Sequence, residues 1–160
     1  MWYAINYIVF NSAFFPFNGF KSFLLRLFGA KIGRNNTIKP RVIIKFPWKL
    51  STGDNVWIGE GVLIDNLAQV NVGNNVCISQ NALLETGNHN YKRENFELIT
   101  SPVTIEDESW IAASSVVCPG TTIKRGTVIC AGTVISGITQ EAGIYCGNPA
   151  KKIKNRIVEE

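Results

Sequence analysis

The chain has 160 residues, of which 46% are hydrophobic and 18% are charged, and its formal net charge at pH 7 is +4. This length is sufficient for one hydrophobic core but short for two independent domains. The balance of apolar and charged residues is that of a folded globular protein, and it excludes an intrinsically disordered chain.

The four cysteines are Cys77, Cys118, Cys130 and Cys146. They show no CxxC spacing and have no histidine beside them in the sequence, so a zinc site is not expected. We expect reduced thiols, as in a cytosolic protein, and disulfide formation is the less favoured alternative.

Residues 1–20 carry no charge and are rich in aromatic side chains. A signal peptide would begin with basic residues and end at a small-residue cleavage site, and neither feature is clear here. Three asparagines, Pro16 and Gly19 interrupt the apolar run that a transmembrane helix needs. We predict a short helix from about Trp2 to Phe14 and a break near Pro16.

A second amphipathic helix is predicted from about Phe20 to Phe28, with Gly29 ending it. In this helix Lys21 and Arg26 should lie on the solvent-facing side. Residues 1–30 would then either cap the domain that follows, by covering its open end, or associate with a membrane surface. The first role is the favoured one, and the two are compatible.

Between Ile32 and Leu84 an aliphatic residue or threonine recurs at intervals of six residues. The interval lengthens to eight from Ile44 to Thr52 and from Ile64 to Val72, which indicates a two-residue insertion at a corner of a coil. Gly and Asn pairs between these positions are suited to tight turns. Neither an α-helix nor an alternating strand has a period of six.

The next step, from Leu84 to Ile105, is twenty-one residues, so the chain must leave the coil in a loop over about residues 85–103. His89, the only histidine, lies in this loop among glycine and asparagine residues. Loops on a rigid scaffold commonly carry catalytic groups, and an imidazole is the side chain best suited to act as a general base near neutral pH. The residues alone leave two interpretations open: a catalytic base or an ordinary histidine.

The repeat is most regular after this loop. Six consecutive units of six residues begin with Ile105, Ile111, Val117, Ile123, Ile129 and Ile135. Four residues after each of these stands a small hydroxyl residue: Ser109, Ser115, Thr121, Thr127, Thr133 and Thr139. A hexapeptide repeat is typical of a parallel β-helix, in which short strands meet at corners and coils stack on one another. We therefore predict an all-β domain over residues 31–160, preceded by a short helical segment.

Six cations against one acid, Glu141, lie between Ile123 and Arg156. They are Lys124, Arg125, Lys151, Lys152, Lys154 and Arg156. Such a cluster can be a solvated face, a nucleic-acid surface or a phosphate-binding surface. Neither a GxxxxGK[ST] loop nor a GxGxxG motif after a strand is present in the sequence, so the use of a nucleoside triphosphate or a dinucleotide is not expected.

Three short motifs, in this order, resemble the hexapeptide acyltransferases: TGNH at 86–89, SWIAA at 109–113 and GNPAK at 147–151. The aromatic N-terminal segment and FPW at 46–48 extend the resemblance over nearly the whole chain. It is strongest to the colanic acid biosynthesis acetyltransferase group, which is related to the maltose, galactoside and nodulation-factor O-acetyltransferases. The family's Trp-Ile-Gly step is Trp-Ile-Ala here, and alanine should be small enough to be tolerated.

The resemblance implies a left-handed parallel β-helix, an exception to the usual right-handed crossover. It also implies a homotrimer with active sites between neighbouring subunits. Acetyl-CoA would be the acetyl donor, and no metal and no nucleic acid would be involved.

The resemblance further implies that His89 is the general base that removes the proton of the attacking hydroxyl. A backbone N–H must stabilise the developing oxyanion, and Ala113 matches the family position for that donor. A backbone carbonyl of the loop, or Glu85 as a second candidate, would hold the imidazole in one tautomer.

Two sets of binding residues follow from the same resemblance. The carboxylate and asparagine with which galactoside-type enzymes hold their acceptor have no clear match here. Asn66 is the nearest candidate for an acceptor contact, and Glu85, Asn88 and Tyr91 of the loop complete the expected acceptor set. Coenzyme A would be contacted by Trp110, Ala112, Ala113, Ala131, Gly132, Lys151 and Lys152. The small residues would lie along the pantetheine arm, and the two lysines would lie beside the nucleotide end.

The expected function is an O-acetyltransferase that modifies a sugar hydroxyl in exopolysaccharide or lipid-linked oligosaccharide biosynthesis. The expected location is the cytoplasm, with peripheral contact at the inner face of the membrane as an open alternative. Two other functions remain: a serine or amino-sugar acetyltransferase, and an inactive β-helix that serves as a scaffold subunit. A γ-type carbonic anhydrase is excluded because its zinc site needs several histidines.

Overall fold

The computed structural model describes residues 1–12, 15 and 17–158. Three sheets of short, mainly parallel strands stack around one core, and each coil contributes one strand to each sheet. Sheet one contains β1 (Lys31–Ile32), β4 (Leu50–Thr52), β7 (Val70–Val72), β12 (Val103–Ile105) and β15 (Thr122–Ile123). Sheet two contains β2 (Thr37–Ile38), β5 (Trp57–Ile58), β8 (Cys77–Ile78), β13 (Trp110–Ile111), β16 (Val128–Ile129), β18 (Gly143–Cys146) and the antiparallel β19 (Lys151–Asn155). Sheet three contains β3 (Ile43–Ile44), β6 (Leu63–Asp65), β9 (Leu83–Glu85), β14 (Val116–Val117) and β17 (Val134–Ile135). A hairpin of β10 (Gly87–His89) and β11 (Leu98–Thr100) projects from the coil, and a 3₁₀ turn (Pro47–Lys49) precedes β4.

The first position of each hexapeptide points into the core. All six late repeat positions, from Ile105 to Ile135, are at most 3% exposed. Successive coils stack these side chains in register, as in the pairs Ile78 with Ile111 and Ile111 with Ile129. Each fully buried aliphatic side chain contributes about 1.5–3 kcal/mol relative to an exposed one. The predicted parallel β-helix is confirmed.

The hydroxyl residues of the repeat fill the corners of the coil. Ser109, Thr139 and the four between them are at most 4% exposed. Ser115 Oγ donates to the Cys130 carbonyl at 2.9 Å. These hydroxyls are small enough for the corner, and each finds a hydrogen-bond partner there: four donate to backbone carbonyls, and Thr133 and Thr139 accept backbone N–H groups.

Asparagines form the turns between sheets one and two in the first three coils. Asn35, Asn55 and Asn75 adopt φ values of 57°, 57° and 55°. Asparagine tolerates this left-handed conformation better than most residues. Their side chains also bond to one another, from Asn35 Nδ2 to Asn55 Oδ1 at 3.3 Å and from Asn55 Nδ2 to Asn75 Oδ1 at 3.0 Å.

The N-terminal segment contains α1 (Trp2–Ile5), a π-helix (Asn6–Phe10) and α2 (Asn18–Leu27). The second helix begins two residues before its predicted start, and Gly29 follows it with a φ of 88°. The predicted end of the first helix at Phe14 and the predicted break at Pro16 lie outside the described residues. Among the described residues, no helix has the length and hydropathy to cross a membrane.

This segment supplies hydrogen-bond partners to the strands of the first coil, which have no coil beneath them. Trp2 Nε1 donates to the Ile44 carbonyl at 2.6 Å, and Asn6 Nδ2 donates to the Val42 carbonyl at 3.2 Å. Asn18 Oδ1 accepts a backbone N–H of β2 at 2.9 Å. Edge strands of all three sheets would otherwise present unpaired backbone groups.

The predicted position of Lys21 on the solvent side of α2 is wrong, because its side chain is completely buried. Its Nζ donates to the Ile38 carbonyl at 2.9 Å and lies 5.8 Å from the centre of the Phe10 ring. The helix lies across the open end of the coil, so its inner side must satisfy an edge carbonyl as well as cover the core. Burial lowers the pKa of Lys21, and the nearby charge of Lys39 lowers it further. Arg26 is exposed, as predicted.

The expectation of four reduced cysteines is also wrong. Cys130 and Cys146 form a disulfide with their Cα atoms 5.0 Å apart, whereas Cys77 and Cys118 are free. Sixteen residues separate the bonded pair, and the last coil pairs Val128 with Ile144, so the two cysteines lie on stacked strands. The sequence spacing of the cysteines does not reveal this pair, because the two residues meet only when the coils stack.

Candidate active site

The β10–β11 hairpin carries His89 away from the corner between sheets three and one. Gly87 pairs with Thr100 at its base, and His89 pairs with Leu98. A Cβ at Gly87 would lie only 2.5 Å from Leu67 Cδ1, so a larger residue there would require the Leu67 side chain to shift. The predicted excursion from the coil therefore has a defined structure that positions His89.

The imidazole of His89 is oriented by a backbone carbonyl of its own hairpin. Its Nδ1 lies 2.5 Å from the backbone carbonyl of Phe96. A carbonyl can only accept, so a neutral imidazole in this contact carries its proton on Nδ1 and leaves Nε2 as a proton acceptor. Of the two predicted orienting groups, the loop carbonyl is the one in contact. The exposed ring thus leaves Nε2 free to accept a proton.

A cleft of about 390 Å³ lies beside the hairpin. It is lined by Lys45, Asp65, Leu67, Glu85, Gly87, Asn88, His89, Leu98, Cys118 and Pro119. Of the residues predicted to contact an acceptor, Glu85 and Asn88 are in this lining. Tyr91 is 79% exposed on the hairpin and is not part of it.

Asp65 and Glu85 stack in register on one wall of this cleft. Lys45 Nζ contacts Asp65 Oδ2 at 2.8 Å. The other oxygen, Asp65 Oδ1, is buried and has no hydrogen-bond partner among the described residues. A buried carboxylate oxygen without a partner is costly, which makes Asp65 an unusual residue in the wall of this cleft. Asp65 is not among the predicted site residues, although its twenty-residue offset from Glu85 matches the predicted length of the early coils.

The prediction that Asn66 contacts the acceptor is corrected by the structure. Asn66 is completely buried. Its Nδ2 donates to the Phe46 carbonyl at 2.6 Å, and its Oδ1 accepts the Phe46 N–H at 2.9 Å. The amide therefore joins two coils at the corner, and the preceding residue, Asp65, is the one that lines the cleft.

Cys118 is a second cleft residue that sequence analysis did not identify. Burial raises the pKa of its thiol, and the carboxylate of Glu85 raises it further. A thiol that stays protonated is a poor nucleophile. A shift in this direction disfavours the thiolate that a nucleophilic role of Cys118 would need.

The residues predicted to contact coenzyme A lie at another corner, between sheets two and three. Ala112 and Ala113 follow β13, and Ala131 and Gly132 follow β16 one coil further on. The Gly132 N–H donates to the Ala113 carbonyl at 2.9 Å. The Ala113 N–H meets no acceptor within the described part of the chain.

Trp110 and the two predicted lysines lie on sheet two. Trp110 is 46% exposed, and its Nε1 donates to Ser79 Oγ at 2.9 Å. Lys151 and Lys152 are exposed on the terminal strand β19, where Lys152 Nζ donates to Gln140 Oε1 at 2.6 Å.

One chain thus presents two separate groups of predicted site residues. His89 and the carboxylates lie at one edge of sheet three, and the small residues and lysines lie at or beyond its other edge. In the described ranges, 1–12, 15 and 17–158, no three His, Cys, Asp or Glu side chains are grouped so that they could hold a metal ion.

The chain matches a family model described as bacterial transferase hexapeptide (six repeats) over residues 102–137. It is 37% identical over 163 aligned positions to WcaF of Escherichia coli strain K12, which has a provisional assignment as a colanic acid biosynthesis acetyltransferase. That alignment covers 100% of this chain and 88% of WcaF.

Two solved structures share the fold. The hexapeptide-repeat acetyltransferase VCA0836 of Vibrio cholerae O1 biovar eltor, solved with acetyl-CoA, superposes with a TM-score of 0.85 at 22% identity, covering 95% of this chain and 83% of that one. A galactoside acetyltransferase in complex with coenzyme A superposes with a TM-score of 0.84 at 25% identity, covering 96% and 78% of the two chains.

Proposed function

Since the chain belongs to the hexapeptide-repeat acetyltransferase family, we propose that it transfers the acetyl group of acetyl-CoA to a sugar hydroxyl, with His89 as general base. The observation that carries this proposal is the orientation of His89. Its Nδ1 contacts the Phe96 carbonyl beside a cleft lined by carboxylates, which leaves Nε2 to accept a proton.

The proposed transfer is one addition and one elimination at the acetyl carbonyl. His89 Nε2 takes the proton of the acceptor hydroxyl as its oxygen bonds to the carbonyl carbon. The Ala113 N–H, which has no partner among the described residues, donates to the oxygen on which negative charge develops. The carbon–sulfur bond then breaks, and the imidazolium returns the proton to the departing sulfur.

These groups are on opposite edges of sheet three, so a complete site requires two chains. The outward side chains of sheet three form one stacked aliphatic column, defined by Ile43, Leu63, Leu83, Val116 and Val134. Ile43 is exposed and the other four are half-buried, and an accessible apolar column of this kind marks a contact surface between subunits. A threefold arrangement around it brings the His89 edge of one chain to the Ala113 edge of the next. We therefore include a homotrimer in the proposal.

A sugar is the acceptor that best suits the cleft. Asp65 and Glu85 line this cleft with carboxylates, and carboxylate oxygens accept hydrogen bonds from hydroxyl groups. Because the similar protein WcaF is named for colanic acid biosynthesis, exopolysaccharide biosynthesis is the setting that we propose, and the cytoplasm is the proposed location. At the other edge, the exposed Lys151 and Lys152 supply positive charge for the phosphates of coenzyme A.

The proposal is tested by measuring acetyl-CoA binding calorimetrically and thiol release with a panel of sugar acceptors. Lys151→Ala/Lys152→Ala should weaken acetyl-CoA binding by about tenfold, because two charge-assisted contacts are lost. His89→Ala should bind acetyl-CoA normally and lose about 10²–10⁴ in turnover. Lys92→Ala, an exposed substitution on the same hairpin, is the matched control. Wild-type turnover in His89→Ala would refute the role of the imidazole as general base. Absence of acetyl-CoA binding to the wild type would refute acetyl-CoA as the acetyl donor.

A further inference from the structure

The outer face of α2 is apolar although its inner face already covers the core. Phe20, Phe23 and Leu27 are 45%, 56% and 67% exposed, and Phe17, immediately before the helix, is 67% exposed. We call these four residues the outer face of α2. Their spacing of three and four residues places the helical members on one stripe. Capping the coil does not require this stripe, because Leu24, Leu25 and the buried Lys21 perform that task.

We propose that the outer face of α2 binds the surface of an anionic lipid bilayer, with its aromatic and aliphatic side chains entering the boundary between headgroups and acyl chains. The proposal concerns a surface away from the acetyl-transfer site and does not depend on the proposed reaction. An amphipathic helix with Phe and Leu on one face is the element that lies in such an interface.

The charge distribution identifies an anionic surface as the partner. The first 53 residues contain eight cations and no acid, whereas residues 54–160 contain eight cations and all twelve acids. The eight are Lys21, Arg26, Lys31, Arg34, Lys39, Arg41, Lys45 and Lys49. They lie on α2, on the first coil or on the 3₁₀ turn that follows it, at the same end of the coil as α2, and Lys45 also lines the cleft beside the hairpin. Basic residues near an anionic bilayer strengthen the attraction of a protein to it.

Part of this charge is neutralised by the second coil and part is not. Arg34 pairs with Asp54, Arg41 with Glu60 and Lys45 with Asp65. Lys31 and Lys39 form no ion pair within the described residues.

A polar cleft of about 550 Å³ also runs along α2, where Ser22, Arg26 and Arg34 are among its lining residues. Hydrogen-bond donors therefore flank the apolar stripe, which is the arrangement that phosphate-containing headgroups need.

The proposed trimer would strengthen this attachment. In a threefold arrangement with parallel coil axes, the three outer faces of α2 point to the same side. Once one subunit of the trimer has bound the bilayer, the other two are held close to the same surface. Three weak contacts then combine into a stable attachment.

The test is co-sedimentation of the full-length protein with vesicles of phosphatidylcholine, with and without phosphatidylglycerol. Phe20→Ser/Phe23→Ser/Leu27→Ser should reduce binding to the anionic vesicles by at least about tenfold, because the inserted apolar area is lost. The matched control is Ile138→Ser/Ile153→Ser/Ile157→Ser, which changes three isoleucines with exposures of 73%, 58% and 87% away from this end of the coil and should bind like the wild type. Lys31→Gln/Lys39→Gln should weaken binding only to the anionic vesicles.

Three results would overturn the proposal. They are no binding of the wild type to anionic vesicles, equal binding of the wild type and the α2 variant, or a change in the mass of the α2 variant by light scattering without vesicles. The third would identify the outer face as a contact between copies of the chain. Acetylation of a soluble sugar by the α2 variant should equal that of the wild type, which separates this proposal from failure of the proposed reaction.

Discussion

Sheets one and three present the same aliphatic pattern to the core but opposite patterns to the outside. The outward residues of sheet one are polar in every coil: Lys31, Ser51, Asn71, Thr104 and Thr122. Those of sheet three form the aliphatic column. The inward residues therefore determine the coil, and the outward residues distinguish a solvated face from a face suited to a partner chain.

The largest expected effect comes from placing a charge in the aliphatic column. Leu83→Arg should convert the proposed trimer to monomers and lower turnover by about 10²-fold or more, because an unpaired charge cannot be buried between subunits and the proposed site needs two chains. Light scattering and the thiol-release assay measure both changes. Asn71→Arg on the outward face of sheet one is the control, and it should leave mass and turnover unchanged. Equal behaviour of the two variants would contradict the distinction between the faces.

The inward positions of the two sheets should, in contrast, be equivalent. Ile64 in sheet three and Ile105 in sheet one are 0% and 1% exposed. Replacing either by alanine should lower the free energy of unfolding by about 2–5 kcal/mol, from lost burial and from the cavity that remains. Denaturant unfolding measures this. If only one of the two substitutions lowered the free energy of unfolding, the inward positions of the two sheets would not be equivalent.

Removing the charge of a carboxylate should also have different effects on activity at the edges of the two sheets. Asp65→Asn, beside sheet three, should raise the KM for the sugar acceptor by about tenfold, because a hydrogen bond to a charged group is weakened, while acetyl-CoA binding stays unchanged. Asp54→Asn, after sheet one, should leave both constants unchanged, since Asp54 pairs only with groups on its own corner. An unchanged KM in Asp65→Asn would remove that residue from the acceptor site.

The smallest expected effect lies at the polar edge of sheet one. The pKa of Glu106 is lowered mainly by its hydrogen bond from Lys124, with a further contribution from the Arg125 N–H. A depressed folded pKa contributes stability that is present above the unfolded value near 4.5 and is lost as pH falls through the folded value. Glu106→Gln should thus cost below about 1 kcal/mol at neutral pH, since the pair is partly solvated, and nothing well below pH 4.5. If the loss of unfolding free energy in Glu106→Gln persisted in acid, it would come from packing and not from the charge of Glu106.

The repeat allowed the coil to be predicted because one residue in six must be small enough and apolar enough to fill a narrow core. It also located the hairpin, since a step of twenty-one residues cannot be one side of a coil. His89 could be singled out for the same reason.

What the repeat did not reveal are contacts that depend on how coils stack. The Cys130–Cys146 disulfide requires the register of the last coil, and the position of Cys118 in the cleft requires stacking of Val117 on Leu84 across the hairpin. Lys21 was misplaced because helical periodicity assumes that a cation faces water. At an open coil end, a buried carbonyl is an equally good partner.

The most direct test of the central claim, that the His89 edge of one chain and the small-residue edge of the next form one site, is complementation between two inactive variants. His89→Ala lacks the base, and Ala131→Trp should block the exposed corner proposed for the pantetheine arm. Each should be inactive alone. Subunits mixed at equal ratio and reassembled should recover about a quarter of wild-type turnover, because one neighbouring pair in four combines both intact edges in a threefold ring. Mixed subunits that exchange, as judged by mass, yet remain inactive would contradict the claim.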